Sequence, residues 1–338
     1  MRLPKFEHLQ PESLEEALDL LSEHGEEANV MAGGTDLLVS MKHRLLTPKY
    51  LLNLKGLGLD FIEEGKEGLR IGALTRLVDI IKSPLVRERF PVLAQAAGYV
   101  SAPPLQNMGT LGGNLCLNTR CFFYNQSQFW RQARPLCFKT GGEVCHVVRG
   151  SDHCYSVYQG DLAPVLIALE ARVKLAQKGS ERVVPLSDLY TGRGEEPIAL
   201  EAEEILTEVE IPGPAPDYKS GGSNLTAASW GGDYQKLRYR GAMDFPLVGV
   251  AAVLNWNGES CARARVVLTA VASAPVVVEE ASRLLEGQKP DEEVIARAAE
   301  AAYEVAHPVA NMGSTPRYRR KMVRAMAKRA IANAWGRG

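Results

Sequence analysis

The stretch Cys121–Cys154 carries four of the chain's six cysteines, and it limits what the rest of the chain can be. It reads CFFYNQSQFWRQARPLCFKTGGEVCHVVRGSDHC, with turn-forming Gly, Pro, Ser and Asp but little helical or strand periodicity. Eight of the chain's 23 aromatic residues fall between Cys121 and Gly160. A connection this long and irregular needs something other than secondary structure to order it, and four thiols suggest a metal centre. The spacing, C-x15-C-x7-C-x8-C, lacks the paired C-x2-C knuckles of zinc ribbons and the tight spacing of bacterial ferredoxins. Spacing therefore admits zinc, with His146 or His153 in place of one cysteine, as well as a [4Fe–4S] cluster. Arg131, Arg134, Lys139 and Arg149 outnumber Glu143 and Asp152, a balance that offsets the negative charge of a cluster. Cys116 is expected beside a bound nucleotide and Cys261 in a core.

On either side of this stretch the pattern is regular. Ser13-Leu-Glu-Glu16 reads as a capping box, and Leu14, Ala17, Leu18 and Leu21 share one helical face that ends at Gly25. An apolar strand, Asn29–Ala32, runs into Gly33-Gly34-Thr35-Asp36-Leu37, followed by a helix to about Arg44 and a strand at Tyr50–Leu54. Such a helix start can receive a phosphate. A second Gly-Gly element, Thr110-Leu111-Gly112-Gly113-Asn114, comes roughly 80 residues later. Glycines let backbone N–H groups approach diphosphate oxygens, and Thr110 and Asn114 add side-chain donors. Two such loops without a Walker lysine fit a diphosphate clamped between two turns; two unrelated turns are the plainer alternative. Asp161-Leu-Ala-Pro164 opens an apolar helix, Arg172–Gln177 and Arg182–Pro185 form a hairpin, and Ile205–Ile211 is a strand. The segment 213–233 is rich in Gly, Pro and Ser and marks a domain boundary. Beyond it come strands at Tyr234–Arg240, Leu247–Trp256 and Ala262–Ala270. Helices follow at Val276–Leu285, Asp291–Val305 and Arg317–Trp335, so an α+β layer with one covered face is expected. Arg317, Arg319, Arg320, Lys321, Arg324, Lys328 and Arg329 make the last helix basic, which predicts a solvated face or a surface for an acidic subunit.

A net charge of −1 gives no bulk attraction to nucleic acid or an anionic membrane. The first residues lack an apolar core of signal-peptide length, and no run approaches a membrane span, so a cytoplasmic protein is expected. There, clustered thiols stay reduced and bind metal more often than they pair.

The GGTDL and TLGGNL loops, Asp161-Leu-Ala-Pro164 and Tyr234-Gln-Lys236-Leu-Arg resemble the FAD-binding subunits of molybdenum hydroxylases, over nearly the whole chain and in the same order. The resemblance implies an α+β fold: a two-part α/β FAD-binding domain of the vanillyl-alcohol oxidase (PCMH) type, then a C-terminal α+β domain with an antiparallel sheet covered by helices. The implied divisions are a FAD domain at 1–215 (subdomains about 1–55 and 56–215), an insertion at about 117–158, a linker at 216–233 and a C-terminal domain at 234–338. It also implies that Met31, Ala32, Gly33, Gly34, Thr35, Asp36 and Leu37, with Thr110, Leu111, Gly112, Gly113 and Asn114, bind the FAD diphosphate. Asp161 would bond within the adenosine or ribityl region. Lys236 would sit near the isoalloxazine edge, and Val100 and Leu206 would set apolar side chains against the flavin.

Most members of that family pass almost directly from the GGN loop to the DLAP helix. The insertion here is similar to the one in the β subunits of 4-hydroxybenzoyl-CoA reductases, which implies one [4Fe–4S] cluster on Cys121, Cys137, Cys145 and Cys154. By that resemblance the chain is an electron-transfer subunit with no catalytic residue of its own for the substrate. Its implied partners are a small [2Fe–2S] subunit and a large molybdenum-cofactor subunit, as a dimer of heterotrimers, with ferredoxin as electron donor. The implied reaction removes the phenolic hydroxyl of 4-hydroxybenzoyl-CoA. The flavin subunit of another molybdenum hydroxylase, acting on a purine, an aldehyde or another aryl-CoA, is the neighbouring reading. A non-catalytic protein with a zinc loop is the distant one.

Overall fold

The computed structural model describes residues 2–65, 68–213 and 230–336. A three-stranded parallel sheet opens the chain, built of β1 (Glu7–Leu9), β2 (Ala28–Met31) and β3 (Tyr50–Asn53) in the order β1-β3-β2. Helix Leu14–His24 connects β1 to β2. Ser13 Oγ accepts from the Glu16 N–H at 3.1 Å as the sequence predicts, but the Glu16 carboxylate accepts from the Glu12 N–H at 2.7 Å instead of the Ser13 N–H that a capping box uses. Gly25, at φ +51°, supplies the turn that ends it. Ala17, Leu18 and Leu21 pack on Leu52 and Leu54, fixing this helix to the sheet whose β2 leads into the first Gly-Gly loop.

The second sheet is antiparallel, β4 (Ile62–Glu64), β5 (Gly68–Gly72), β6 (Arg172–Gln177), β7 (Ser180–Pro185) and β8 (Ile205–Pro212), in the order β4-β5-β8-β6-β7. Between β5 and β6 the chain supplies the helices that cover it, among them Pro91–Tyr99 and Leu162–Ala168; every residue of the latter is buried. Ile71, Leu93, Leu166 and Val209 belong to one core cluster there.

The third sheet comprises β9 (Trp230–Leu237), β10 (Val248–Asn257), β11 (Ser260–Thr269) and β12 (Val276–Val277), all antiparallel. It departs from the expected single covered face. Val248, Val250, Ala252 and Leu254 of β10 pack with helices Glu279–Leu285, Glu292–Val305 and Pro316–Trp335. The alternate residues Ala251 and Val253 join Tyr234, Val267 and the helix Leu162–Ala168 in the other core. Both faces are dry, which is why β10 reads as an almost continuous apolar run. The expected helix start at Val276 is also displaced: Val276 and Val277, both β-branched, pair with β11, and the helix begins at Glu279. The expected linker lies, up to residue 229, outside the described residues.

The last helix corrects the basic-face expectation at one position. Arg319 is fully buried, and its guanidinium donates to the carbonyls of Leu247 (3.0 Å), Val309 (3.0 Å) and Ala270. Arg320, Arg324 and Lys328 do face outward, but they pair with Glu304, Glu300 and Glu292 of the preceding helix. The acidic partner of that face is therefore this chain's own helix. An Arg319→Met variant leaves three inward carbonyls without donors, so it should lose roughly 3 kcal/mol of stability in denaturant unfolding. An unchanged midpoint would show that the carbonyls find other partners.

Candidate functional site

The two Gly-Gly loops meet. A Cβ added to Gly33 would overlap the Met108 carbonyl oxygen, so only glycine lets the first loop lie against residues 108–109. The second loop is pinned from behind, with the Leu77 N–H bonding to the Gly109 carbonyl at 2.9 Å and a Gly112 Cβ excluded by Ala73 at 2.9 Å. Around this junction lies a cavity of about 700 Å³, within the range of small-molecule and cofactor sites.

Of the residues expected to hold FAD, Met31, Ala32, Gly33, Gly34, Thr35, Asp36, Leu37, Val100, Thr110, Gly112, Gly113, Asn114, Asp161 and Leu206 line this cavity. Leu111 does not: it is fully buried in the central core. Nor does Lys236. Its ammonium lies behind the cavity wall, donating to Asp161 Oδ2 at 2.8 Å and the Tyr99 carbonyl at 2.9 Å. Asp161 Oδ1 accepts from the Tyr234 hydroxyl at 2.7 Å. Burial pushes the Asp161 pKa up while Lys236 and Tyr234 pull it back. This buried trio ties β9 to the DLAP helix and shapes the cavity from behind.

The two loops also differ in what they can offer a ligand. The N–H groups of Leu111, Gly112, Gly113 and Asn114 are already committed, to Thr75 O, Ala73 O, Thr110 Oγ1 and Thr110 O. Those of Gly33, Gly34, Thr35 and Asp36 have no protein acceptor among the described residues. Successive free N–H groups around a glycine at φ +70° (Gly34) make an anion nest. Both loops line the cavity, but the expected backbone donors of the second loop are spent within the protein, which leaves the free N–H groups on the first. Asp36 pairs with Arg120 at 3.0 Å, and Arg120 in turn stacks over Phe245 at 4.3 Å. Burial raises the Asp36 pKa and Arg120 opposes it. Arg120 and Phe245 carry no local motif that marks them in the sequence.

The cysteine-rich stretch is closed at its neck by an antiparallel bridge, Arg120 and Val157 exchanging two backbone bonds of 2.8 Å. Inside, Cys121, Cys137, Cys145 and Cys154 all line a second, smaller cavity, with Phe123, Tyr124, Phe138, Val144 and Val147 supplying most of its apolar wall. Each sulfur has donors nearby: Thr140 Oγ1 at 3.7 Å from Cys137, the Val148 N–H at 3.4 Å from Cys145 and the Ser156 N–H at 3.3 Å from Cys154. Cys121 is reached by the backbone N–H groups of Phe123 and Tyr124. Burial nevertheless pushes the Cys121 thiol up to about 11 and raises that of Cys154. Left bare, the Cys121 and Cys154 thiols stay protonated.

Among the described residues no three His, Cys, Asp or Glu side chains are grouped to hold one metal ion. His146 also lines the smaller cavity and bonds to the Pro135 carbonyl at 3.0 Å, and His153 pairs with Asp152. Cys116 instead lines the large cavity, and Cys261 is buried in β11; burial pushes both up to about 12.

Two family models match the chain: "FAD binding domain in molybdopterin dehydrogenase" over residues 4–214 and "CO dehydrogenase flavoprotein C-terminal domain" over residues 233–334. The chain is 30% identical to the carbon monoxide dehydrogenase medium chain of Hydrogenophaga pseudoflava, covering 99% of this chain and 98% of that one. It is 33% identical to an aldehyde oxidoreductase FAD-binding subunit of Escherichia coli K12, over 84% and 85%. Among solved structures, the Hydrogenophaga pseudoflava carbon monoxide dehydrogenase superposes with a TM-score of 0.80 at 29% identity, covering 100% of this chain and 99% of that chain. Quinoline 2-oxidoreductase of Pseudomonas putida 86 does so with 0.78 at 26%, covering 99% of each. No helix among the described residues is long and apolar enough to cross a membrane.

A Gly33→Ala variant should force the two loops apart and weaken FAD binding at least tenfold, about 1.4 kcal/mol, read by flavin fluorescence on titration. Gly98→Ala, in a helix where an added Cβ meets nothing within 4 Å, should bind FAD normally and gain about 0.5 kcal/mol. Equal FAD affinity in both variants would break the link between loop contact and binding.

Proposed function

The chain belongs to the family of FAD-binding subunits of molybdenum hydroxylases, and from that premise we propose that it is the electron-transfer subunit of a molybdenum-containing 4-hydroxybenzoyl-CoA reductase. It would relay electrons from reduced ferredoxin toward the [2Fe–2S] clusters and molybdenum of a small and a large partner subunit, in a dimer of heterotrimers. The overall reaction takes up two electrons and two protons, breaks the phenolic C–O bond and releases water and benzoyl-CoA. The observation that carries the reading is the four-cysteine cage beside the flavin cavity in one chain. When bound, FAD and a [4Fe–4S] cluster supply two- and one-electron transfer, while the protein supplies position and potential.

The residues of this chain have binding and orienting roles. The N–H groups of Gly33–Asp36 would hold the diphosphate, and Val100 and Leu206 would bound the flavin's apolar side. Asp161, clamped by Lys236 and Tyr234, keeps the DLAP helix and β9 in register behind it. Cys121, Cys137, Cys145 and Cys154 would ligate the cluster, and the aromatic wall excludes water from it. No side chain of this subunit is assigned a role on the substrate, which would bind on the large subunit.

The second reading is the flavin subunit of another molybdenum hydroxylase, acting on an aldehyde, a purine or another aryl-CoA with electrons leaving through this chain, and the aldehyde oxidoreductase relative favours it. The partner subunits that co-purify, and the thioester they reduce, separate the two. The purified chain should contain FAD together with four irons and four sulfides. A Cys137→Ser variant should lose the iron and sulfide but keep FAD, because Cys137 lines the smaller cavity and not the one between the glycine loops. A colourless protein holding zinc and no flavin would overturn the proposal.

A further inference from the structure

The two cavities share a wall, and that wall contains a charge with no carboxylate bound to it. Lys139 lines the cysteine cavity. Its ammonium donates to Asn118 Oδ1 at 2.6 Å, Thr119 Oγ1 at 2.5 Å, the Gly194 carbonyl at 2.8 Å and the Thr119 carbonyl at 3.3 Å. It also stands 4.9 Å from the centre of the Tyr124 ring. Asn118 faces the large cavity, so one side chain bridges the two. All four acceptors are neutral. The ammonium is therefore held by neutral dipoles and not by a hydrogen-bonded carboxylate.

A carboxylate stands at the same wall. Glu195 lines the large cavity, and its Oε2 accepts the N–H of Cys154 at 3.0 Å; its other oxygen accepts from Arg193 at 2.6 Å. The loop that carries it can come this close only because residue 194 is glycine, where a Cβ would meet the Cys154 carbonyl at 2.6 Å. The Gly194 carbonyl receives Lys139, Thr119 and Ser156 together. The two charges are thus built into one hydrogen-bonded partition, and neither side chain is placed there by chance packing.

We propose that Lys139 and Glu195 set the reduction potential of the centre in the cysteine cage relative to the flavin, Lys139 favouring reduction and Glu195 opposing it. The inference rests on the [4Fe–4S] reading given above. Reduction adds one negative charge inside an apolar enclosure, where a nearby fixed charge is weakly screened. A bound ammonium stabilises that added charge, and a carboxylate at a ligating cysteine's own N–H destabilises it. Both are positioning residues: neither touches substrate. A clamp with no electrostatic role would make the same hydrogen bonds but would leave the potential unmoved when its charge is removed.

Anaerobic redox titration of the purified protein, with the cluster followed by electron paramagnetic resonance and the flavin by absorbance, tests this. In Lys139→Met the reduced-to-oxidised ratio of the cluster at a fixed potential should fall about tenfold, a midpoint about 59 mV more negative for a one-electron centre, with iron and FAD content unchanged. Lys139→Arg should titrate as wild type. Glu195→Gln should move the midpoint the other way, and it carries the test if Lys139→Met fails to hold its cluster. Unmoved midpoints in cluster-loaded Lys139→Met and Glu195→Gln overturn the inference, as does loss of iron from both variants, which would make the pair a structural clamp. A wild-type chain with FAD but no iron overturns the functional reading itself, and this inference with it.

Discussion

The contact between Gly33 and the Met108 carbonyl decides where everything else in the molecule can go. It joins a loop that follows a strand of the parallel sheet to a loop that opens a helix packed on the antiparallel sheet. The cavity exists because these two units touch through backbone alone at this point. The division of labour follows from the hydrogen bonds. The second loop uses its N–H groups on Thr75, Ala73 and Thr110 to hold its own shape, which leaves the first loop's donors as the place where an anion is received. A side chain at residue 33 would cost both the junction and the approach of a diphosphate.

The cysteine insertion attaches to this frame without interrupting it. Its neck is a single bridge, Arg120–Val157, yet its interior is tied to distant parts of the chain. Arg131 donates to the carbonyls of His43 (3.1 Å) and Arg44 (2.7 Å), the Phe122 N–H reaches the Asn311 carbonyl at 2.9 Å, and Lys139 reaches Gly194. These ties hold four cysteines, two buried and two half-buried, around one cavity. Burial keeps the Cys121 and Cys154 thiols protonated where no cation holds them as thiolates. Arg120 pairing to Asp36 and Glu195 bonding to Cys154 tie that cage to residues that line the large cavity.

Local periodicity made most of the elements legible in the sequence. The Ser13 cap, the Gly25 stop, the hairpin of β6 and β7 and the apolar strands of the third sheet each follow from residues within one turn or one strand of them. The glycine pairs and the four clustered cysteines, singled out in the sequence, line the two cavities. What stayed hidden depended on distant partners. Arg319 looks like its basic neighbours until the carbonyls of Leu247, Val309 and Ala270 converge on it. Lys236 was expected at the flavin but is drawn back by Asp161, and Leu111 shares a motif with cavity residues while its side chain points to the core. Gly194-Glu195 carries no signature, since its importance arises only where Cys154 and Lys139 meet it.

The central claim is that one chain holds a flavin and an iron–sulfur cluster in adjoining cavities. Diffraction at the iron absorption edge, from crystals of the FAD-loaded protein grown without oxygen, tests it most directly. The account predicts a compact, multi-iron anomalous peak enclosed by the sulfurs of Cys121, Cys137, Cys145 and Cys154, with flavin density running from the Gly33–Asp36 loop past Val100 and Leu206. A single-atom peak, iron bound elsewhere, or a flavin that bypasses the glycine loops would contradict it.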